Sequence, residues 1–423
     1  MKKETTHYLT TLATQKFKTT TIKVSFKAPL ERETITSRNL LANVLRNSSM
    51  IYTSKKHLNA HLEGLYGANL SVSTKKQGRQ HIISFVIQIA NEKFLKSAPP
   101  LFEEALNVLK EILINPKVAN EAFDEAVVAL EKRLLKDEIE SIFDDKTNYA
   151  LKQLSAKMFE QETFGISGDG YIEDLEDISA KALYNTYQTM IREEEVEVIV
   201  LGDVVHEEVV KAAGKAFGFY IPMRTSTTAI DTEPKVIDKV EQFDETQEIN
   251  QAKLNIGYRT HTRVTDEDYF SVLVFNGVFG AFAHSKLFMN VREKESLCYY
   301  CGSYLDNFKG AMYVYSGLDN AQIDKALNII DKELMDVVNG VITEDELMMA
   351  KKSIINAKRE SLDTSSGMMS DLEMNYILGL SAEEFIENIE KVTASDVATV
   401  AKKFEKDTIF ILKPCTKESG GDA

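Results

Sequence analysis

The sequence predicts an α+β protein made of two duplicated halves, and three observations carry that expectation. Short stretches alternating apolar and polar residues, the period of a half-buried strand, recur between longer stretches with helical periodicity. The elements come in one order twice: strand, helix, helix, hairpin, long helices, late helix, strand. Local likenesses support the comparison: ISFVIQIANEKF matches MYVYSGLDNAQI, and YIEDLEDISAKALYNTY matches FIENIEKVTASDVATVA. The period is near half the chain, too long for a solenoid, and each half has too many strands for a bundle.

In chain order, the first half opens with a strand over 19–28, where Ile22, Val24 and Phe26 alternate with polar residues. Thr36 and Ser37 precede a helix that runs to about 47 and turns Leu40, Leu41, Val44 and Leu45 inward. A second helix, 54–66, has its N-cap at Thr53 or Ser54 and is stopped by Gly67. Strands 69–74 and 81–90 form a hairpin through Gly78. Helices follow over 93–114, 119–137 and on to 159, then a GISGDGY loop, a helix from Ser179 and a strand over 196–201. The second half reads as a strand over 251–259 and helices 266–279 and 285–292. A hairpin of 297–304 with 311–317 follows, then helices 321–338, 343–362, 366–378 and 395–404, and a closing strand 408–412. Between the halves, 221–250 is rich in Thr, Asp, Glu and Pro with little apolar periodicity, which reads as a linker. The expected domains are therefore 1–220 and 251–423.

Composition narrows the function. At 423 residues the chain can bury more than one core, and 43% hydrophobic with 27% charged residues is that of a globular protein. A net charge of −15 argues against nucleic-acid binding, which needs a basic surface. The longest apolar runs are too short to span a bilayer, and the N-terminal residues lack the apolar run of a signal peptide. Three cysteines cannot build a disulfide framework, so the expected setting is cytoplasmic.

The stretch SKLFMNVREKESLCYYCGSY places Arg292 at a helix end and Tyr299 on the next strand, where a cation and a phenol could meet one carbonyl. With the duplication, this stretch resembles the pitrilysin/insulinase family of zinc peptidases, which includes the mitochondrial processing peptidase subunits. The matching residues are Gly280, Ser285, Leu287, Arg292, Glu293, Lys294 and Tyr299. The resemblance covers nearly the whole chain. It implies two halves of the α/β-roll, metallohydrolase-like type, with Arg292 and Tyr299 serving the substrate peptide. A cation and a phenolic O–H can both stabilise a developing oxyanion.

Active members of that family carry His-x-x-Glu-His on the first helix, two imidazoles for zinc and a glutamate for the attacking water. Here the corresponding positions hold Asn43, Arg46 and Asn47, and the family's downstream glutamate corresponds to Glu131. An arginine repels a dication and asparagine is a poor zinc ligand, so no metal is expected in this chain. His57 and His61 share a helical face, but Ala60 stands where the inverted motif needs Glu. Cys298 and Cys301 match C-x-x-C, yet on a regular strand residues three apart face opposite ways. GISGDGY lacks the Gly-Lys-Ser/Thr ending of a phosphate loop and reads as a flexible connector. Asn69, Ser71 and Ser73 alternate along a strand that resembles the family strand pairing with substrate, and they form a small polar face beside it. The same alternation also suits an ordinary edge strand kept polar against aggregation.

The implied role is that of a non-zinc subunit, inactive alone, of a heterodimeric peptidase that processes extended or unfolded peptides. A homologous partner would hold the zinc, and this chain would supply Arg292 and Tyr299; a homodimer is the alternative for the isolated chain. The competing expectation is an inactive peptide-binding or scaffold protein that stabilises a peptidase partner or acts in peptide or translation-factor maturation.

Overall fold

The alternating strands and amphipathic helices resolve into two sheets, each with its own helical layer. The computed structural model of the chain describes residues 2–6, 9–47, 49–97, 99–218, 229–232 and 237–415. The elements of the first half are β1 (Lys2–Thr6), β2 (Leu9–Ala13), β3 (Thr19–Pro29), α1 (Ile35–Asn47), α2 (Lys55–Gly64), β4 (Asn69–Gln77) and β5 (Gln80–Ala90). After them come α3 (Leu101–Ile114), the two-residue strands β6 (Val118–Ala119) and β7 (Ala122–Phe123), α4 (Glu125–Ser141), α5 (Lys146–Met158), α6 (Ala180–Glu193), β8 (Glu195–Gly202) and α7 (His206–Phe217). The second half has β9 (Glu241–Gln247), β10 (Ala252–Arg259), α8 (Tyr269–Phe279), a π-helical turn (Phe288–Lys294), β11 (Cys298–Asp306) and β12 (Ala311–Leu318). It ends with α9 (Ile323–Val338), α10 (Glu344–Ser361), α11 (Ser365–Leu378), α12 (Ala382–Lys391), α13 (Ala394–Ala401) and β13 (Glu405–Pro414).

Helix starts follow local chemistry. Ser54 caps α2 through the His57 N–H, Ser179 caps α6 through the Ala182 N–H, and Thr343, Ser381 and Thr393 each form a reciprocal capping box. Gly67 takes a positive φ of 74° just past α2, a conformation a side chain disfavours.

The larger sheet runs β1-β2-β8-β3-β5-β4 and the other β11-β12-β10-β13-β9. Read from opposite ends, β2-β8-β3-β5-β4 and β9-β13-β10-β12-β11 are one topology, in which only β2 with β8 and β9 with β13 pair parallel. The duplication is therefore present in strand order, direction and edge. It also explains β9, which lies in the expected linker: it repeats β2. Residues 221–228 and 233–236 of that linker lie outside the described residues. The β1–β2 hairpin and α7 have no counterpart in the sequence reading, because their short apolar runs carry little periodicity.

Chain contacts divide the protein into two units, and the division departs from a cut at 220. One unit holds the described residues up to Ser141 and from Ile166 to Ala229; the other holds Ile142–Gly165 and the described residues from Ile230 onward. The first has a core centred on β3, α1, β5 and α3, with Phe26 edge-on to Phe85 at 6.2 Å. In the second, α5 packs against β10 and β13 although it comes from the first half. Its Ala150, Leu154 and Met158 join Ala311, Tyr313, Phe410 and Leu412 in a buried cluster. Gly257 makes this possible, since a Cβ there would run into the Met158 sulfur.

Charges fasten the same segment. Glu162 accepts hydrogen bonds from Arg259 at 2.6 and 3.1 Å and pairs with Lys309. Arg259 also reaches Asp407 at 2.7 Å and the Met158 carbonyl at 3.0 Å, and Lys309 reaches Asp231 at 3.0 Å. Burial raises the Glu162 carboxyl, but the bonds from Arg259 and Lys309 outweigh it and hold the group below the ordinary glutamate value.

Candidate functional site

In the first unit the site grows from α1. Asn39, Asn43 and Asn47 recur every four residues, so they share one helical face. Asn47 Nδ2 donates to the Asn43 carbonyl at 3.0 Å and to Glu131 Oε1 of α4 at 2.8 Å. Glu131 is buried, 4% exposed. Burial raises its carboxyl above the ordinary value, against the lowering pull of Asn47 and of the cations Lys55 and Arg46. The structure thus brings Asn47 and Glu131 together, with Arg46 acting on them through its charge.

This donor set does not fit zinc. The amide hydrogen of Asn47 occupies the carboxylate oxygen a metal would need, and two cations lie within electrostatic reach. Zinc sites take imidazole, thiolate and carboxylate donors around a tetrahedron. Among the described residues no group of three or more His, Cys, Asp or Glu is placed to hold a metal ion. His57 and His61 flank the buried Tyr52, with ring centroids 5.9 and 5.1 Å from it.

Beside α1 lies β4, an edge strand hydrogen-bonded to β5 alone among the described strands. Leu70 is buried, while Asn69, Ser71 and Ser73 are exposed. The polar face expected from the alternation is therefore present on a strand whose second edge is unpaired by any described strand.

GISGDGY is not a flexible connector. Asn39 Nδ2 donates to the Gly168 carbonyl at 3.0 Å, and Thr74 Oγ1 of β4 donates to Asn39 Oδ1 at 2.5 Å. The Ser167 N–H donates to the Tyr171 hydroxyl at 3.0 Å, and the Tyr171 N–H to Thr36 Oγ1 at 3.0 Å. Arg32 lies 3.6 Å over the Tyr171 ring and is paired with Asp174. The four-residue asparagine spacing on α1 was the only sequence signal for this arrangement.

In the second unit the family-like motif divides into buried and exposed residues. Ser285 and Leu287 are buried at 1% and 0% exposure. A Cβ on Gly280 would come within 2.9 Å of both Leu287 and Ser303, so glycine lets α8 end against β11. Arg292 lies on the π-helical turn, which replaces the expected helix 285–292, with its guanidinium 4.5 Å over the Phe288 ring and 3.7 Å from Glu293. π-Helical turns are rare and concentrate at functional sites. Ser296, at φ 54°, then turns the chain into β11.

Tyr299 is 72% exposed and lies in a bulge of β11, the other edge strand of its sheet: the pairing with β12 shifts register between Cys298 and Tyr300. The bulge overturns the expectation for C-x-x-C. The extra residue returns Cys298 and Cys301 to the same buried side, in one core cluster. Hydrogen bonding with Cys301, helped by Ser316 and the nearby Arg292 guanidinium, brings the Cys298 thiol below its ordinary value despite burial. Arg292 is thus within electrostatic reach of the residue next to Tyr299.

Comparison with known proteins agrees with this layout. Residues 177–354 match the family model described as the peptidase M16 inactive domain. The chain is 36% identical over 405 residues to a Bacillus subtilis (strain 168) protein named "Probable inactive metalloprotease YmfF", covering 95% of this chain and 94% of that one. An "Uncharacterized zinc protease YmxG" of the same organism is 24% identical over 73% of this chain and 74% of its own length. A conserved protein from Enterococcus faecalis V583 superposes with a TM-score of 0.91 at 34% identity, over 97% of each chain. A Helicobacter pylori protease shares the fold, with a TM-score of 0.83 at 15% identity over 98% of this chain and 99% of its own.

Proposed function

The chain belongs to the M16 peptidases, the pitrilysin/insulinase family, and from that premise we propose that it is the non-zinc subunit of a heterodimeric peptidase. A homologous partner with an intact His-x-x-Glu-His motif would hold the zinc, which supplies an activated water for peptide hydrolysis. This chain's Arg292 and Tyr299 would bind and polarise the scissile carbonyl, and Asn69, Ser71 and Ser73 on β4 would border an extended peptide paired by its backbone. The observation that carries the reading is Tyr299, a phenol lifted into solvent by a bulge while its neighbours Leu297 and Cys298 are buried. The proposed setting is cytoplasmic; no helix of the described residues is long and apolar enough to cross a membrane.

The test combines the purified chain with a partner from the same genome that carries the intact motif. Arg292→Ala and Tyr299→Phe are each expected to lower cleavage of an unfolded substrate by about 100-fold, with the complex intact by gel filtration. Wild-type cleavage by both variants in an assembled complex would refute the reading. The second reading, an inactive peptide-binding or scaffold protein, is supported by the open β4 edge, which can pair with a peptide without any chemistry.

A further inference from the structure

Cys298 and Cys301 have no task in either reading, yet the bulge at Tyr299 brings them within each other's reach. Cys298 lies opposite Leu318 and Cys301 opposite Ser316, and these partners are only two residues apart on β12. The spacing of the two cysteines along the strand is therefore about 7 Å at ~3.3 Å per residue. An uninterrupted strand would hold residues three apart at about 10 Å. Both are free thiols, 9% and 6% exposed, on the side that faces the core. Their side chains hydrogen-bond to each other. The Ser316 hydroxyl, which donates to the Tyr300 carbonyl at 3.0 Å, hydrogen-bonds with both thiols. Disulfides span Cα separations up to about 6.8 Å, so a small tightening of the bulge closes the pair.

We propose that Cys298 and Cys301 are a reversible oxidation site, closed to a disulfide by hydrogen peroxide, and that closure shifts Tyr299. The two thiols take different parts. Cys298, brought down to about 7 chiefly by its bond with Cys301, is partly thiolate at neutral pH and is the nucleophile. Cys301, raised by the bond with Cys298 and by burial, keeps its proton and resolves the intermediate. The Cys298 sulfur attacks one peroxide oxygen and the O–O bond breaks. The other oxygen leaves as hydroxide and takes up the proton that Cys298 released, giving water and a sulfenic acid. The Cys301 sulfur then attacks the Cys298 sulfur, the S–O bond breaks, and a second water leaves with the Cys301 proton. Burial favours an oxidant as small as hydrogen peroxide over glutathione disulfide. Tyr299 lies inside the bridge, and the bulge that must tighten is the one that holds its phenol in solvent. The consequence for cleavage rests on the proposed role of Tyr299, whereas the oxidation itself does not.

Peptide mapping tests the site in the unaltered chain. The folded protein is treated with a slight excess of hydrogen peroxide and quenched with catalase, then unfolded and alkylated with iodoacetamide. Trypsin releases residues 295–309 as one peptide, which holds both cysteines and no internal lysine or arginine. That peptide is expected to lose two hydrogen atoms, to escape alkylation, and to recover both alkylation sites after dithiothreitol. Two alkylated cysteines, or a sulfinic acid at Cys298 beside an alkylated Cys301, would overturn the proposal. With dimedone present, Cys301→Ser is expected to trap a sulfenic acid at Cys298. An adduct at Cys301 in Cys298→Ser, with none at Cys298 in Cys301→Ser, would overturn the assigned parts. Freed of peroxide and assembled with the zinc-bearing partner, the bridged chain is expected to cleave an unfolded substrate about 100-fold more slowly. Reduction before assembly should restore the rate. A bridged chain that cleaves at the reduced chain's rate, while Tyr299→Phe lowers cleavage, would overturn the shift of Tyr299. Full cleavage by Tyr299→Phe would refute the proposed function and leave the oxidation site to stand on the peptide mass.

Discussion

At the scale of single residues, one amide secures a buried carboxylate. Asn47 ties α1 to Glu131 of α4 at 2.8 Å, so a carboxylate buried at 4% exposure keeps a donor. Asn47→Ala should remove that donor and destabilise the chain by about 1–3 kcal/mol, the cost of an unsatisfied buried group. Adding Glu131→Leu should recover most of the loss, since removing both partners can be nearly neutral. Urea denaturation of the two single variants and the double variant measures the coupling, and additive losses would show that the bond contributes nothing. Tyr299→Phe, by contrast, alters an exposed side chain and should leave stability within about 0.5 kcal/mol, so its effect on cleavage can be read separately. The identities at Asn43, Arg46, Asn47 and Glu131 were legible in sequence. The Asn47–Glu131 bond was not, because it joins residues 84 apart in the chain.

At the scale of elements, α5 and the loop after it are held by charge as much as by apolar contact. The Glu162 value is depressed in the folded chain, so its ionisation contributes stability that is complete above the unfolded value near 4.3. That contribution disappears as pH falls through the lower folded value. Glu162→Gln should flatten the acid limb of stability against pH. It should also cost about 3–5 kcal/mol at neutral pH, because Arg259 and Lys309 lose a buried partner. Denaturant midpoints between pH 3 and 7 test both, and an unchanged acid limb would exclude Glu162 as its source. The Glu131 shift has the opposite sign: its raised value weakens the fold as pH rises from about 4.3 through the folded value. Helix and strand periods announced most elements. The π-helical turn and the bulge at Tyr299 escaped, since both arise where a regular period is interrupted by one residue.

For the whole molecule, the exchange of α5 between halves makes a sharp prediction. A fragment beginning at Ile230 has the second sheet but lacks the helix that covers Ala311, Tyr313, Phe410 and Leu412. Expressed alone it should bind an apolar dye and aggregate, and a synthetic peptide of residues 142–165 should restore solubility and a cooperative unfolding transition. A fragment that folds cooperatively without the peptide would show that α5 is dispensable. The sequence by itself determined the α+β class, the duplication and the singular Arg292–Tyr299 stretch. All of these are written in residue type and short-range period, which a chain carries before it folds. Only the tertiary structure decided that 142–165 serves the second sheet, that β9 repeats β2, that Cys298 and Cys301 share a side, and that the glycine loop is fixed against β4. Each depends on which distant surfaces meet, and packing and buried charge settle that, not local propensity.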